Sequence, residues 1–139
     1  MRLTRYTDYA LRVLIYLAAR PEELSAINDI SRAYGISQNH LMKVVSDLAA
    51  NGYVTSLRGR KGGIRLAMPA KDIKVGDVVR HTEEGFDLVD CGSCVIAPAC
   101  GLTGALHDAV KAFLNVLDGY TLADLVTRRG RLRSLLTAA

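Results

Sequence analysis

The sequence contains no apolar stretch long enough to cross a lipid bilayer. Its longest such run, VLIYLAA, covers only residues 13–19, whereas a membrane-spanning helix needs about 20 predominantly apolar residues. The N-terminal segment is periodic and interrupted by charged residues, which is unlike a secretory signal peptide. These absences predict a protein of the reducing cytoplasm with no membrane partner.

Low-complexity tracts are also absent, so extended disorder is not expected. Half of the 139 residues are hydrophobic and 23% are charged. This balance is typical of a folded protein whose core needs no disulfide bonds. The length favours one domain, or one small domain with an appendage.

The chain has no recognisable catalytic constellation. It lacks a P-loop and a dinucleotide-binding glycine motif, and its three histidines, His40, His81 and His107, are widely separated. We therefore predict that the protein is not an enzyme. An enzyme or electron carrier that uses a metal cluster is the alternative class.

Positive charge is concentrated in the first half of the chain. Residues 1–70 contain ten Lys and Arg against five Asp and Glu, a net charge of +5. Residues 71–139 contain eight against nine, a net charge of −1. This asymmetry indicates a polyanionic partner for the first half.

Three helices are predicted in the basic half. The first is expected to have Thr7 as its N-cap and Asp8 in its first turn, and to run to about Ala19. A second helix, INDISRAY, and a third, QNHLMKVVSDLAA, are separated by a tight turn at Gly35, and Ser37 is the expected cap of the third. Two helices joined by a short glycine turn are typical of a helix-turn-helix motif.

The third helix and the segment after it carry candidate DNA contacts. Two short strands, YVTSL and IRLAM, flank the cationic, glycine-rich loop RGRKGG, which is typical of a DNA-binding wing. The third helix presents polar side chains suited to base edges, although any solvated surface helix has a polar face. Motif order and charge together favour double-stranded operator DNA as the partner. The candidate contacts are Gln38, Asn39, His40, Lys43, Arg58, Arg60, Lys61 and Arg65.

The second half predicts a short linker helix and a long amphipathic helix. The linker helix runs from Val75 to about Thr82, before an acidic, irregular run. In GLTGALHDAVKAFLNVLDG, apolar residues recur at helical spacing, and one helix cannot bury this stripe alone. We expect it to pair with the same helix of a second protomer, in keeping with two-fold operators. Packing back onto its own winged helix is the alternative.

The expected fold is mainly α with a small β-hairpin wing: a winged helix-turn-helix domain plus a long dimerisation helix. Residues 1–68 are assigned to the DNA-binding domain, and residues 69–101 to the linker helix and cysteine loop. Residues 102–119 form the dimerisation helix. Residues 120–139 form a small helix capped by Thr121, with Asp124 completing a capping box, and a basic, mobile tail.

All three cysteines, Cys91, Cys94 and Cys100, lie within ten residues in the segment DCGSCVIAPACG. In a reducing compartment such a group indicates metal binding or redox chemistry rather than a disulfide bond. Three thiolates hold three corners of an iron–sulfur cluster, and the positive end of a helix that starts near Cys100 favours an anionic cluster. Zinc with a fourth His or Asp ligand and a metal-free thiol switch are the alternatives.

Six segments of the chain resemble a known family of regulators. They are MRLTRYTDYALRVLIYLA, GISQNHLMKVVSDLAANGYV, RGRKGGIRLAMPA, IKVGDVVR, VDCGSCVIAPACGL and YTLADLV. In this order they are similar to the NsrR-type repressors, which sense nitric oxide and belong to the winged-helix family that also contains IscR and RirA. The "GGIRL" wing and the three-cysteine loop are the most specific parts of the resemblance.

The resemblance implies a homodimeric repressor with a nitric-oxide-sensitive iron–sulfur cluster. A 4Fe–4S cluster is the expected intact form, and 2Fe–2S is the alternative. Operator DNA is expected to be released when the cluster is nitrosylated or lost. A sensor of iron or of cluster status within the same family is the alternative function.

A 4Fe–4S cluster has four iron corners, so it requires a fourth ligand besides the three cysteines. The segment YTDYALR resembles the one that carries a carboxylate ligand in some NsrR-type relatives, which implies Asp8, brought to the cysteine loop of the other protomer by a two-fold dimer. IscR-like relatives have a histidine three residues after the last cysteine, and this position is Thr103 here. An acid in the first turn of a helix is otherwise ordinary dipole compensation. The candidates in this chain are Asp8, His81, Asp87, Asp90 and His107.

Overall fold

The structure is a computed structural model that describes residues 1–137. These residues form a helical molecule with one two-stranded hairpin, which confirms the expected fold class. A short 3-10 turn, Ala70–Asp72, follows the hairpin. The elements in chain order are α1 (Arg5–Ala18), α2 (Ile27–Tyr34), α3 (Gln38–Ala50), β1 (Val54–Leu57), β2 (Gly63–Leu66), α4 (Val75–Thr82), α5 (Leu102–Asp118), α6 (Leu122–Leu125) and α7 (Arg129–Thr137).

Helix α1 is the centre of the hydrophobic core. Val13 and Leu14 are fully buried, and the helix packs against α3, α4, α6 and β2. Burial of each such side chain contributes about 1.5–3 kcal/mol. The core extends into the C-terminal segment, because Leu122 is buried and its N–H donates to the carbonyl of Ile73 at 2.8 Å.

Helix α1 begins one turn earlier than the sequence predicts. Thr4 has an extended backbone, and its hydroxyl accepts a hydrogen bond from the N–H of Thr7 at 3.3 Å. Thr4 is therefore the N-cap, and the prediction of Thr7 as the cap is wrong. Thr7 lies inside the helix and is fully buried. Both threonines suit a cap by residue type, so the choice depends on contacts from elsewhere in the chain.

Helices α2 and α3 form the predicted helix-turn-helix with the predicted bounds. Gly35 adopts φ 66°, a left-handed conformation that suits glycine. Across this turn the hydroxyl of Ser31 donates to the carbonyl of Ile36 at 2.5 Å. Ser37 occupies the N-cap position of α3, although its hydroxyl makes no capping hydrogen bond. The stripe of α3 that is buried is Leu41, Val44, Val45 and Leu48.

Helix α5 leaves its apolar stripe only partly covered. Phe113 and Leu117 are half-buried where the helix packs against α4, but no residue of α5 is fully buried and Val116 is 62% exposed. The guanidinium of Arg80 on α4 holds Asp118 on α5 with hydrogen bonds of 2.6 and 2.8 Å. Packing on the same chain, the alternative to dimerisation, therefore covers only part of the stripe.

The basic tail, which was expected to be mobile, forms helix α7 as far as Thr137. Leu132 and Leu136 pack against the core, and Arg133 forms an ion pair with Glu23. These contacts explain why the segment is ordered. The capping box of Thr121 and Asp124 on α6 is confirmed, and residues 138–139 of the predicted tail lie outside the described residues.

Glu83, the residue after α4, binds the N-terminus of α1. Its carboxylate accepts hydrogen bonds from the N–H of Thr4 at 3.1 Å and from the hydroxyls of Thr4 and Thr7. The hydroxyl of Thr82 donates to that of Thr7 at 2.8 Å. A carboxylate at this position satisfies free N–H groups and complements the positive end of the helix. The start of the cysteine loop is thereby tied to α1.

These hydrogen bonds also set the acidity of Glu83. Partial burial alone would raise the pKa of Glu83, but the hydrogen bonds from Thr4 and Thr7 outweigh it and leave the pKa below its ordinary value of 4.5. A carboxyl group whose pKa is lowered by folding contributes stability that is complete above the unfolded pKa. This contribution is lost as the pH falls through the lower, folded pKa.

We therefore expect Glu83→Gln to lower the free energy of unfolding at neutral pH by about 1 kcal/mol, as for loss of a partly exposed cap. The variant is also expected to lose less stability than the parent as the pH falls below 4.5. Urea unfolding at neutral and acidic pH measures both effects. The control is Glu84→Gln, which removes the same charge from an exposed neighbour. Identical behaviour of the two variants would contradict the role of Glu83.

Candidate nucleic-acid interface and cysteine loop

Helix α3 exposes the four residues that the sequence predicts as DNA contacts. Burial of its apolar stripe fixes the rotation of the helix about its axis, so the polar side chains on the opposite side face solvent. Side-chain amides on this face are suited to adenine edges, and the ammonium group to guanine or phosphate. The exposed residues are Gln38, Asn39, His40 and Lys43.

The predicted wing is a tight hairpin loop of exposed basic residues. Gly59 adopts φ 113°, which suits glycine, and its carbonyl accepts a hydrogen bond from the N–H of Gly62 at 2.9 Å. The loop is closed by the pair Leu57 and Gly63 at the end of the two antiparallel strands. The exposed basic residues are Arg58, Arg60, Lys61 and Arg65.

The cations of α3 and the wing are not neutralised by other side chains in the part of the chain that the structure describes. Among residues 1–137 none of them lies in an ion pair. Charges without an intramolecular partner remain available to a polyanion. The arginines that do have carboxylate partners lie on other elements: Arg12 with Asp8, Arg32 with Asp29, Arg80 with Asp118, and Arg133 with Glu23.

The second strand of the wing forms a backbone bridge with Ser25, a residue shortly before α2. The N–H of Ser25 donates to the carbonyl of Ile64 at 2.9 Å, and the N–H of Ile64 donates back to Ser25 at 2.8 Å. Ile64 and Ser25 are both buried. The backbones approach so closely that a Cβ on Gly63 would lie 2.8 Å from the Ser25 carbonyl oxygen. This contact, together with the packing of β1 against α3, positions the wing relative to α3.

The three cysteines lie on an irregular loop between α4 and α5, and all are free thiols. The N–H of Cys94 donates to the carbonyl of Cys91 at 3.3 Å, which forms a turn between them. The sulfur of Cys100 accepts from the N–H of Leu102 at 3.4 Å, at the start of α5. The sulfur of Cys91 lies 3.2 Å from the hydroxyl of Thr103. Polar groups of the first residues of α5 therefore lie beside two of the three sulfurs.

This donor set fits an iron–sulfur cluster in its chemistry. Three free thiols on the loop that leads into an α-helix, with the sulfurs of Cys91 and Cys100 beside its first residues, suit an anionic, thiolate-ligated group. Cys91 also lines an open cavity of about 560 Å³, bounded by residues 86–92 and the first turns of α5. Within residues 1–137, however, no three His, Cys, Asp or Glu side chains converge as a ready-made metal site.

The candidates for a fourth ligand occupy different places. Asp8 forms an ion pair with Arg12 at 2.8 Å and is not among the residues that line the cavity beside Cys91. The cavity lining includes His107 and the carboxylates Asp87 and Asp90. The oxygen of Asp90 also accepts a hydrogen bond from the N–H of Gly92 at 3.0 Å.

His81 is engaged elsewhere, in a link that sequence reasoning missed. Its Nε2 lies 3.1 Å from a carboxylate oxygen of Asp47 on α3, and its ring is 6.3 Å from that of Tyr53. The contact of Glu83 with α1 was also missed. Both links join residues far apart in the chain, and such pairs leave no local pattern in a sequence. Together they connect the end of α4 to both α1 and α3.

A helix-turn-helix followed by a hairpin with a cationic tip defines a winged-helix transcriptional regulator. A family model described as Rrf2, iron-dependent transcriptional regulator, matches residues 3–128. The chain therefore belongs to the Rrf2 family. None of the helices within residues 1–137 has the length and apolar character to cross a membrane.

Similar proteins agree with this assignment. The HTH-type transcriptional regulator NsrR of Bacillus subtilis is 54% identical over 98% of this chain and 97% of its own length. The solved structure of T. potens IscR superposes with a TM-score of 0.77 at 28% identity, covering 92% of this chain and 88% of that one. The structure of CymR, the global cysteine regulator of B. subtilis, has a TM-score of 0.72 at 29% identity and covers 92% and 98%.

These comparisons bear directly on two expectations from the sequence. The resemblance to NsrR-type regulators is confirmed. Because the relatives are named as transcriptional regulators, the expectation of a regulator rather than an enzyme is also confirmed.

We expect Gly63→Ala to displace the wing, because the new methyl group meets rigid backbone at Ser25 rather than a movable side chain. A loss of about 1–3 kcal/mol in unfolding free energy is the usual cost of overpacking. The control is Gly104→Ala on α5, where a Cβ has open space and alanine favours the helix. Chemical denaturation compares the two variants. A Gly63→Ala variant that is as stable as Gly104→Ala, or more stable, would refute the close contact.

Proposed function

We propose that this protein is a homodimeric repressor that senses nitric oxide through an iron–sulfur cluster held by Cys91, Cys94 and Cys100. The observation that carries the proposal is the position of the three free thiols. They lie between the end of α4, which is tied to α1 and α3, and the incompletely covered helix α5. The similarity to NsrR over nearly the whole chain supports nitric oxide as the signal. A 4Fe–4S cluster is the preferred form.

In this proposal α3 and the wing bind double-stranded operator DNA. The amides of Gln38 and Asn39 contact base edges in the major groove, with His40 and Lys43 beside them. The wing contacts phosphate or the minor groove through Arg58, Arg60, Lys61 and Arg65. The absence of ion pairs at these cations among residues 1–137 supports this division.

The partly exposed stripe of α5 is the proposed dimer seam. The side chains of Val116 and Leu102 are 62% and 52% exposed on a helix whose other side packs on α4. Burying this stripe against the same helix of a second protomer removes apolar surface from water. A two-fold dimer also places two copies of α3 at the spacing of a palindromic operator.

The cysteine loop is connected to α1 and α3 through the end of α4. When bound, the cluster supplies iron that reacts with nitric oxide. Glu83 ties the start of the cysteine loop to the N-terminus of α1, and His81 ties α4 to Asp47 on α3. When the three thiolates no longer bind iron, the loop is less restrained. This change alters the contacts that Glu83 and His81 make. We expect the spacing of the two α3 helices to change and operator affinity to fall.

The test uses the full-length protein purified without oxygen. We expect visible absorption of an iron–sulfur cluster, tight binding to a duplex selected from a random pool, and loss of that binding on titration with nitric oxide. Cys94→Ser should abolish the absorption and the response, whereas Ser93→Ala, its exposed neighbour, should keep both. Equal DNA affinity with and without the cluster would exclude the proposal. Release by iron chelation but not by nitric oxide would identify an iron or cluster-status sensor.

We propose Asp8 of the partner protomer as the fourth ligand. Its side chain is 46% exposed, and within residues 1–137 its ion pair is with Arg12 on the same helix, a surface contact worth about 0–1 kcal/mol. Releasing it therefore costs little. An oxygen ligand binds iron less firmly than a thiolate, so this corner is the labile one. Such a ligand links helix α1 of one protomer, which supports α3 and the wing, to the cysteine loop of the other.

Asp8→Ala is expected to alter the cluster spectrum and the rate of the nitric oxide response, because one ligand is lost. Arg12→Ala is the matched control, since it breaks the same ion pair and leaves the carboxylate in place. His107→Ala tests the competing ligand that lines the cavity with Cys91. Absorption spectra and DNA affinity are measured for all three. A native spectrum and full affinity for Asp8→Ala, with changes in His107→Ala, would assign the site to the histidine.

A further inference from the structure

A second basic feature lies between α1 and α3, beside the exposed face of α3. It is an open pocket of about 210 Å³, hereafter the α1–α3 pocket. Since a water molecule occupies about 30 Å³ in the liquid, the pocket has room for several waters or for a group as large as a phosphate. Its lining residues are Arg5, Tyr6, Tyr9, His40, Lys43 and Val44.

The packing of two helices builds this pocket. Arg5 and Tyr9 are four residues apart and therefore share one face of α1. The ring of Tyr9 lies 6.2 Å from that of His40, which is one turn before Val44 on α3. Val44 is buried in the core, so the wall contributed by α3 is held in place. The pocket is consequently formed by two packed helices and not by a mobile loop.

The charge of the pocket is positive and is not compensated within it. Arg5 and Lys43 are permanent cations, no carboxylate is among the lining residues, and neither cation has an ion pair within residues 1–137. The nearby Asp8 is engaged with Arg12. The carboxylate of Asp47 on α3 lies beside Tyr6, and burial together with a hydrogen bond to that carboxylate raises the pKa of Tyr6 to about 12.

We propose that the α1–α3 pocket binds a phosphate of the DNA backbone, with Arg5 and Lys43 supplying the charge and Tyr9 a hydroxyl donor. This inference rests on the proposed DNA-binding function and adds α1 to its contact surface. When a recognition helix lies in the major groove, the groups at its flank face the sugar–phosphate wall of the groove. A contact of this kind positions α3 on the duplex and carries no sequence information.

The experiment measures the affinity of full-length Arg5→Ala for two duplexes over a range of salt concentrations, one duplex of random sequence and one selected for tight binding. Loss of one charged hydrogen bond in each protomer is expected to weaken binding to both duplexes about tenfold per protomer. The slope of log affinity against log salt should become shallower by about 0.9 for each protomer. Arg5→Lys should recover most of the affinity, because a point charge still reaches a phosphate.

Two further variants keep the result interpretable. Arg131→Ala removes the same charge from α7, outside the pocket, and should leave the salt slope unchanged. Arg60→Ala, in the wing, reports whether the proposed DNA surface is used at all. A normal slope and affinity for Arg5→Ala, with weakened binding by Arg60→Ala, would overturn the pocket alone. Weakening confined to the selected duplex would also overturn it, since it would indicate base contact. Failure of the parent to bind either duplex would overturn the proposed function and the pocket with it.

Discussion

The burial of α1 is the constraint on which the other elements depend. Its apolar face is covered by α3, α4, α6 and β2, so the DNA-facing helix, the linker helix and the wing share one support. Its N-terminus is held by Glu83, at the point where the chain enters the cysteine loop. A close-packed interior transmits displacement instead of absorbing it. The DNA-facing surface and the thiol loop are therefore mechanically connected through a single helix.

Local rules account for most of the secondary structure. Helix α3 lies between the predicted cap Ser37 and the predicted stop at Asn51 and Gly52, because capping preference, helical periodicity and a glycine signal agree there. The start of α1 could not be predicted by these local rules, because Thr4 and Thr7 both suit a cap. The choice depends on Glu83, which is 79 residues from Thr4 in the chain.

The candidate site likewise has features that local sequence rules predict and features that they do not. Exposure of Gln38, Lys43 and the wing cations follows from periodicity and loop composition, both of which are visible in the sequence. The link between His81 and Asp47 and the pocket beside Arg5 depend on which helices pack together. Such contacts are determined by tertiary structure, for which the spacing of residues in one sequence carries no signal. The assignment of Asp8 as a cluster ligand rests on a family resemblance and stays a prediction.

The compact spacing of the three thiols has a thermodynamic consequence. Cys91, Cys94 and Cys100 span ten residues, so the entropy of bringing them together is small even in the unfolded chain. A group bound by these three sulfurs alone would bind folded and unfolded protein with similar affinity, and binding of this kind stabilises the native state only slightly. Loss of a group held in this way would leave the global fold standing, and its effect would reach the rest of the molecule only through the contacts of Glu83 and His81. For a group held by the three sulfurs alone, the state of the loop and the melting temperature of the protein are thus largely independent.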